Sequence, residues 1–597
     1  MPLSYHGKRA ADTGDALSAI ALETNMLHSE FMLNQRPAVG DAHAARAWLR
    51  ELPLTDARAA HHALESLLDA LEDNGLGLRK RLDILETIRT QRVEVDAQYG
   101  QRYAGKALPL AQAERAAYVH AASLWQKLES CYWQCARSAA AGDGTLRSHL
   151  ALCLARAADL ACERIKGTLR AGQALDGSAA AALAKYALAA REHGVLDSKV
   201  PDSLHPKHTV TVASVQQRAL LLALTGTSGG LLPGRERECA FELATIWESK
   251  LAVNWMPSGL TRALTREDLP PSDEPARQRI RILHQGGQIY FMDVTALSRS
   301  LRKRIHLLGL GKGASELKLP ASFPASGADK LLTRLHGLWC AEDFGRRYPR
   351  TTPATLPAPA TGAGTADLTV APCSAAGGFD AMVCLISGDP FTANEEAGAT
   401  SRSRFNEMFV FQGGGHMRRD RQVREAQQQF ESWRSLDHSA GGARMGRAYG
   451  GGARCKPGQL FALRSTARGS DSTAQLAELR WCAEQPAGAS GVSGASGTAD
   501  AAGGASTLEA GIELLAPAPT AVAVRLTGIN AAGAQRWTAA FLCGGEAEGR
   551  VLITPQGWYK PGRTIEIQMG KETQRWLLGP LKRRGTDFEM IEAAHTP

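Results

Sequence analysis

The feature that most constrains this chain is a change of apolar period at Pro353–Ala366. That stretch, PATLPAPATGAGTA, is built from Pro, Ala, Thr and Gly and cannot bury a core, so it reads as a linker. Before it, apolar residues recur with the helical period. Leu64, Leu67, Leu68 and Leu71 stand at i, i+3, i+4 and i+7, and Leu78, Leu82, Leu85 and Ile88 repeat the arrangement. After it, short alternating runs punctuated by Gly and Pro replace that period, the pattern of small β-barrels or sandwiches.

The spacing therefore predicts a multidomain α plus β chain. An α-helical region spans 13–345, with helices over Ala111–Ala140, Leu146–Ala171, Ala179–Glu192, Val215–Leu224 and Glu236–Leu251 and a short strand near Gln288–Val294. The first strong start signal is Pro53-Leu54-Thr55-Asp56, read with Thr55 as N-cap, and Asn74-Gly75 supplies that helix's stop. A linker covers 346–368, a first barrel 369–517 and a second 518–597. The Ala/Gly/Ser-rich stretch Gln485–Ser506 is a loop within the first barrel.

An internal repeat supports two barrels of six strands. Lys456-Pro457-Gly458 precedes the strand Gln459–Leu463, and Lys560-Pro561-Gly562 precedes Arg563–Ile567. Each copy continues into a strand bearing Trp (Trp481, Trp576) and ends in a glycine-led strand, Gly511–Leu515 in one and Gly585 before Phe588–Ile591 in the other.

Length and composition bound the rest. At 597 residues there is room for three or four domains, and 44% hydrophobic with 22% charged residues is ordinary for globular protein. The net charge of +9, from 69 basic and 60 acidic residues, permits an anionic ligand without demanding one. The N-terminal residues lack the apolar segment of a secretory signal, and no apolar run is long enough to span a membrane. The eleven cysteines are dispersed with no CxxC pair, which fits a cytoplasmic protein better than a disulfide scaffold.

Three motifs fail on context. Gly226-Thr227-Ser228-Gly229-Gly230 matches a nucleophile elbow, but a helical period rather than a strand precedes it. Gly309-Leu310-Gly311-Lys312-Gly313 lacks the Ser or Thr that follows the lysine of a phosphate loop. His61-His62 and His205 with His208 have no acidic or cysteine partner at ligand spacing in the sequence. No catalytic residue or metal site emerges, and the chain reads as a non-enzyme.

The stretch Trp433–Gly442, WRSLDHSAGG, follows the basic run MRRDRQVR. Its Asp437-His438-Ser439-Ala440-Gly441-Gly442 fits Asp/Asn-x-Ser-x-x-Gly. With the Trp481 strand and the Gly511–Leu515 strand behind it, the region Arg402–Pro517 resembles a PilZ domain, a small bacterial β-barrel of which many bind the second messenger cyclic di-GMP. The helical half also resembles that of large proteobacterial PilZ-containing proteins, in WLRELPLTD and RLDILETIR.

The resemblance implies a cyclic di-GMP site made of Arg418, Arg419, Arg421, Arg424, Asp437, Ser439 and Gly442. Arginine bonds phosphate bidentately and stacks on guanine. A carboxylate at Asp437 accepts from guanine N–H groups, Ser439 meets a base edge or phosphate, and Gly442 admits close backbone approach. The alternative is a polar turn in which Asp437 and Ser439 cap their own backbone amides. This chain departs from the family in its arginines. The family's first element is Arg-x-x-x-Arg before the first strand, whereas no two of Arg418, Arg419, Arg421 and Arg424 are four apart. Arg402 and Arg404, ahead of the apolar run Phe409–Phe411, are better placed relative to a first strand but are spaced by two. In the second copy the corresponding stretch, Phe541–Gly545, has neither acid nor serine.

The function this implies is a cytoplasmic bacterial receptor for cyclic di-GMP, with no cofactor beyond that ligand. It relays through its helical domain to a protein partner in motility, pilus or biofilm machinery, with no membrane span and no DNA partner. A second reading is a ligand-free adaptor acting through protein contacts. A third, single-stranded nucleic-acid binding, lacks the aromatics that MRRDRQVR would need.

Overall fold

The structure, a computed structural model, describes residues 39–596 apart from 74–75, 142–146, 176, 206–207, 227–231, 233, 258–279, 286–287, 324–326, 341–371, 392–420, 422, 440, 466–473, 486–505, 528–536, 545–549 and 570–571. The linker, most of the low-complexity loop, Asn74-Gly75 and residues 402–411 thus lie outside the described residues.

A helical half precedes two β-barrels. Its helices are α1 (Ala42–Arg50), α2 (Ala57–Asp73), α3 (Leu78–Tyr103), α4 (Gln112–Ala141), α5 (Arg147–Arg170), α6 (Ser178–Glu192), α7 (Val212–Thr225), α8 (Gly234–Trp247), α9 (Thr295–Gly309) and α10 (Ala328–Cys340). Leu64, Leu67, Leu68, Leu71, Leu82, Leu85 and Ile88 are all buried in one continuous core, as the helical spacing requires. The cap of α2 is Asp56 rather than Thr55. The helix starts one residue later than the sequence suggests, and the Asp56 carboxylate accepts from Arg58 N at 2.9 Å and Ala59 N at 3.2 Å.

Strand content in this half exceeds expectation. Short strands β1 (Val200–Pro201) and β2 (Thr209–Val210) pair, and β3 (Ala252–Pro257), β4 (Ile280–Gln285) and β5 (Gln288–Asp293) form an antiparallel sheet ordered β3-β5-β4. Only β5 is visible in the sequence, because six-residue strands beside long helical periods leave little alternation to count. Gly226 directly follows α7, so a helix leads into the Gly226–Gly230 motif where a nucleophile elbow needs a strand. The sequence reading of His61 and His62 is corrected: Glu65, one turn along α2, lies 3.3 Å from His61 and 3.8 Å from His62.

The barrels are β6 (Pro372–Gly377), β7 (Glu431–Ser439), β8 (Gly442–Ala448), β9 (Leu460–Ser465), β10 (Gln475–Gln485) and β11 (Thr507–Pro517), then β12 (Thr520–Leu526), β13 (Thr538–Cys543), β14 (Val551–Pro555), β15 (Thr564–Met569), β16 (Glu572–Arg584) and β17 (Phe588–Thr596). Both are closed. Numbered within each barrel, the strands run 1-2-3-6-5-4 and back to 1, with every neighbour antiparallel. The sequence repeat falls on equivalent strands. Both Lys-Pro-Gly turns enter strand four through a glycine in the left-handed region, Gly458 at φ 91 and Gly562 at φ 67, a conformation costly for residues with a Cβ. Trp481 and Trp576 both lie on strand five.

Strand one of the first barrel is β6, so Phe409–Phe411 is not needed for that role. Its sequence, PCSAAG, carries no β-branched or aromatic residue to announce it. Between β6 and β7 stands α11 (Phe379–Ser387), which wedges between the barrels. Ala381, Met382, Val383 and Leu385 are buried there, and Phe379 stacks on Phe541 of β13 at 5.5 Å. Each large apolar side chain so buried contributes about 1.5–3 kcal/mol. Arg583 of β16 adds polar contacts, 2.6 Å from Glu478 and 2.7 Å from Glu513.

The first barrel and the helical half share one hydrophobic core. Trp433, Met445, Cys455, Leu479, Trp481 and Leu508 pack into the same cluster as the helices. Main-chain bonds reinforce the joint. Leu108 and Cys455 exchange N–H···O=C bonds of 2.8 and 2.6 Å, and Glu484 bonds Gly172 O and Ala174 N at 3.0 and 2.9 Å. Arg115 of α4 pairs with the buried Glu484 carboxylate and lies over the Tyr449 ring at 4.8 Å.

Candidate functional site

β7 and β8 pair as a hairpin, and this places Asp437, Ser439 and Gly442 together. Ser439 pairs with Gly442, His438 with Ala443 and Asp437 with Arg444. A bulge between Ser435 and Asp437 inserts one residue into β7, and such a bulge bends the strand and re-aims its side chains. Asp437 therefore sits in a strand, not in a turn. Asp437 is 7% exposed, and its carboxylate lies 3.4 Å from Arg444 Nε, whose side chain is about one-third exposed. Ser439 Oγ donates to the Gly442 carbonyl at 3.2 Å, so it caps a carbonyl rather than an amide.

Gly442 has a packing reason of its own. It lies opposite Glu513 of β11, and a Cβ there would meet the Ile512 carbonyl oxygen at 2.2 Å. Backbone cannot move aside without breaking the β8–β11 pairing. Gly442→Ala is expected to destabilise the first barrel by about 1–3 kcal/mol in the absence of any ligand, measured by urea denaturation followed on tryptophan fluorescence.

The arginines are placed differently. Arg418 and Arg419 lie outside the described residues. Arg421 and Arg424 stand on a short helical stretch that leads into β7 at Glu431. Arg421 is largely exposed and turns to Glu425 at 2.9 Å, and Arg424 is exposed. They sit at the entry of β7, whereas Asp437 and Ser439 sit at its exit, about 20 Å along the strand. The hairpin brings Asp437, Ser439 and Gly442 together but not Arg421 or Arg424.

Two residue sets escaped the sequence reading. Arg444 is the cross-strand partner of Asp437, seven positions on, and the hairpin register around DHSAGGAR was the signal for it. Ahead of the true first strand, Gly345-Arg346-Arg347-Tyr348-Pro349-Arg350 carries Arg346 and Arg350 four positions apart. These lie outside the described residues. Their spacing was readable, but only once β6 replaces Phe409–Phe411 as strand one.

The entry end of β7 holds a different arrangement. Glu431 is buried and accepts from Trp433 Nε1 at 2.9 Å and Ala453 N at 2.8 Å. Arg447, with its side chain almost fully buried, stands 3.3 Å from Glu431, donates to Ala453 O at 2.6 Å and covers the Trp433 ring at 5.1 Å. Beside them opens a cavity of about 500 Å³ lined by Gly377, Gln428, Phe430, Glu431, Arg454 and Asp587. Asp587 comes from the second barrel and accepts from Leu460 N at 2.9 Å, and burial pushes its carboxyl up to about 6. Arg454 reaches the helical half at Glu114 and Ala107 O. This end is a junction of all three units.

No curated protein and no solved structure matches the chain. A family model does: residues 43–257, from α1 to β3, match the model described as cyclic-di-GMP receptor FimW, N-terminal domain. The matched helices include the α3–α4 and α5–α6 connections that bond to the first barrel. Over those residues the helical half is similar to the N-terminal domain of a cyclic-di-GMP receptor.

Proposed function

We propose that this chain is a non-catalytic receptor for cyclic di-GMP, read at the β7–β8 hairpin and relayed into the helices. The observation that carries the reading is the shared core. A region similar to a cyclic-di-GMP receptor's N-terminal domain packs continuously against a barrel bearing Asp-x-Ser-x-x-Gly. The dinucleotide offers two phosphates and two guanines. Arg346 and Arg350, ahead of strand one and four apart as in a PilZ domain, supply planar forks for both. Asp437 holds Arg444 across the hairpin, so Arg444 and Ser439 are the groups that meet the ligand's edge, with Asp437 positioning Arg444.

Ligand entry changes the first barrel's packing on the helices at Leu108–Cys455 and Arg115–Glu484. The output is a protein partner of the helical half, in pilus, motility or biofilm control. Hydrogen exchange on the full chain tests the relay. Cyclic di-GMP is expected to alter protection at residues 107–110 and 172–174 as well as at the hairpin. Changes confined to the hairpin would reject the relay.

One observation favours the adaptor reading. Ser439 is satisfied internally and Gly442 is required by β11, so part of the motif has a structural cause without a ligand. That reading predicts no cyclic di-GMP affinity at all, whereas the receptor reading predicts binding.

A further inference from the structure

The motif Gly309–Gly313, discarded as a phosphate loop, ends a helix with an unusual outer face. α9 is anchored on its inner side, where Leu297 and Leu301 are buried and Arg304 lies over the Trp247 ring at 5.2 Å and donates to Leu317 O at 3.2 Å. Arg299, Lys303, His306 and Leu310 follow at steps of four, three and four, which returns them to one side of a helix, with Arg302 alongside. All of these are exposed. Between Asp293 and Glu316 the chain has five arginines and lysines and no acid. Among the described residues no ion pair neutralises Arg299, Arg302, Lys303 or Lys312. The nearest carboxylate in sequence, Glu316, accepts from Gly313 N at 3.1 Å.

At the end of this face stands Leu310. It is 67% exposed, the most exposed of the large hydrophobic residues described, and lies between Gly309 and Gly311 beside Lys312. Cations alone fit any polyanion. A leucine projecting from a collar of cations fits a surface with phosphates outside and hydrocarbon just beneath, which a nucleic-acid duplex does not offer. We infer that the outer face of α9, with Leu310 at its tip, docks the protein peripherally on anionic phospholipid membrane. The face is about 16 Å long, too small for irreversible anchoring, so binding is reversible and salt-sensitive.

Cosedimentation of the full chain with vesicles tests this. Vesicles of phosphatidylcholine mixed with phosphatidylglycerol are expected to bind the protein, and pure phosphatidylcholine is not. Combined Arg299→Glu, Arg302→Glu and Lys303→Glu should weaken binding at least about tenfold, and Leu310→Ala alone should weaken it several-fold. A control with the same charge change at exposed positions elsewhere, Arg50→Glu, Arg79→Glu and Lys560→Glu, should bind nearly as wild type. Circular dichroism confirms that each variant is folded. Failure to bind anionic vesicles, equal loss in the control set, or α9-dependent binding of duplex DNA without vesicle binding would each overturn the assignment.

Discussion

Asp159→Ala is expected to cost about 3–5 kcal/mol, lowering the melting temperature of the helical half by on the order of 10 °C. Asp159 of α5 lies buried between two buried arginines, Arg89 of α3 at 2.8 Å and Arg218 of α7 at 3.0 Å. Arg89 also bonds Asp202 at 3.0 Å and Ser203 at 2.6 Å, so removing Asp159 leaves it one carboxylate. Arg218 is left with Glu248 at 3.6 Å. Two buried cations then face too little counter-charge. Desolvating a charge is costly when its partner is removed, which outweighs the modest net gain of making the pair.

The same site sets a pH dependence. Burial pushes the Asp159 carboxyl up, but Arg218 and Arg89 outweigh burial and hold it well below its ordinary 3.8. A carboxylate with a depressed folded pKa stabilises above its unfolded pKa and loses that contribution as pH falls. The gap between wild type and Asp159→Ala, followed by thermal melts on far-UV circular dichroism, is expected to narrow below about pH 4. A gap independent of pH would mean that lost packing, not lost charge, dominates.

Glu431→Ala is expected to be comparably severe in the first barrel, again about 3–5 kcal/mol. It strips the counter-ion from the buried Arg447 and an acceptor from both Trp433 Nε1 and Ala453 N. Trp433 fluorescence should report the change. Replacing both members, Glu431→Leu with Arg447→Met, should recover part of the loss, because two apolar groups leave no orphaned charge. If the double variant were as unstable as the sum of the singles, the pair would not be acting as a unit. Because Glu431 stands at the meeting point of helices and both barrels, this pair also bears on how a signal would cross that junction.

The sequence made the architecture legible where periodicity is local. The leucine spacings on α2 and α3 and the two Lys-Pro-Gly turns follow rules spanning only a few residues, and they fall on the observed helices and equivalent strands. What failed depends on distant contacts. β6 is a strand because β7 and β9 pair with it, not because PCSAAG favours one. Without β6 as strand one, Arg346 and Arg350 do not stand out in the sequence as a pair ahead of the first strand. Gly442 read as a ligand-facing glycine, whereas the Ile512 carbonyl that requires it is seventy residues away in sequence and adjacent only in the barrel. Asp437 and Ser439 were found as a motif, and Arg444 was not, because its role follows from hairpin register.

The most direct test is isothermal titration of the full chain with cyclic di-GMP, alongside Arg350→Ala and Asp437→Ala, each first shown to be folded. Binding in the micromolar range or tighter is expected, weakened at least about tenfold in both variants. Loss in Arg350→Ala separates ligand contact from hairpin stability, since Arg350 precedes β6 in the sequence and is far from Asp437 along the chain. No heat from the folded wild-type chain at ligand concentrations up to about a millimolar would contradict the receptor reading and leave the adaptor.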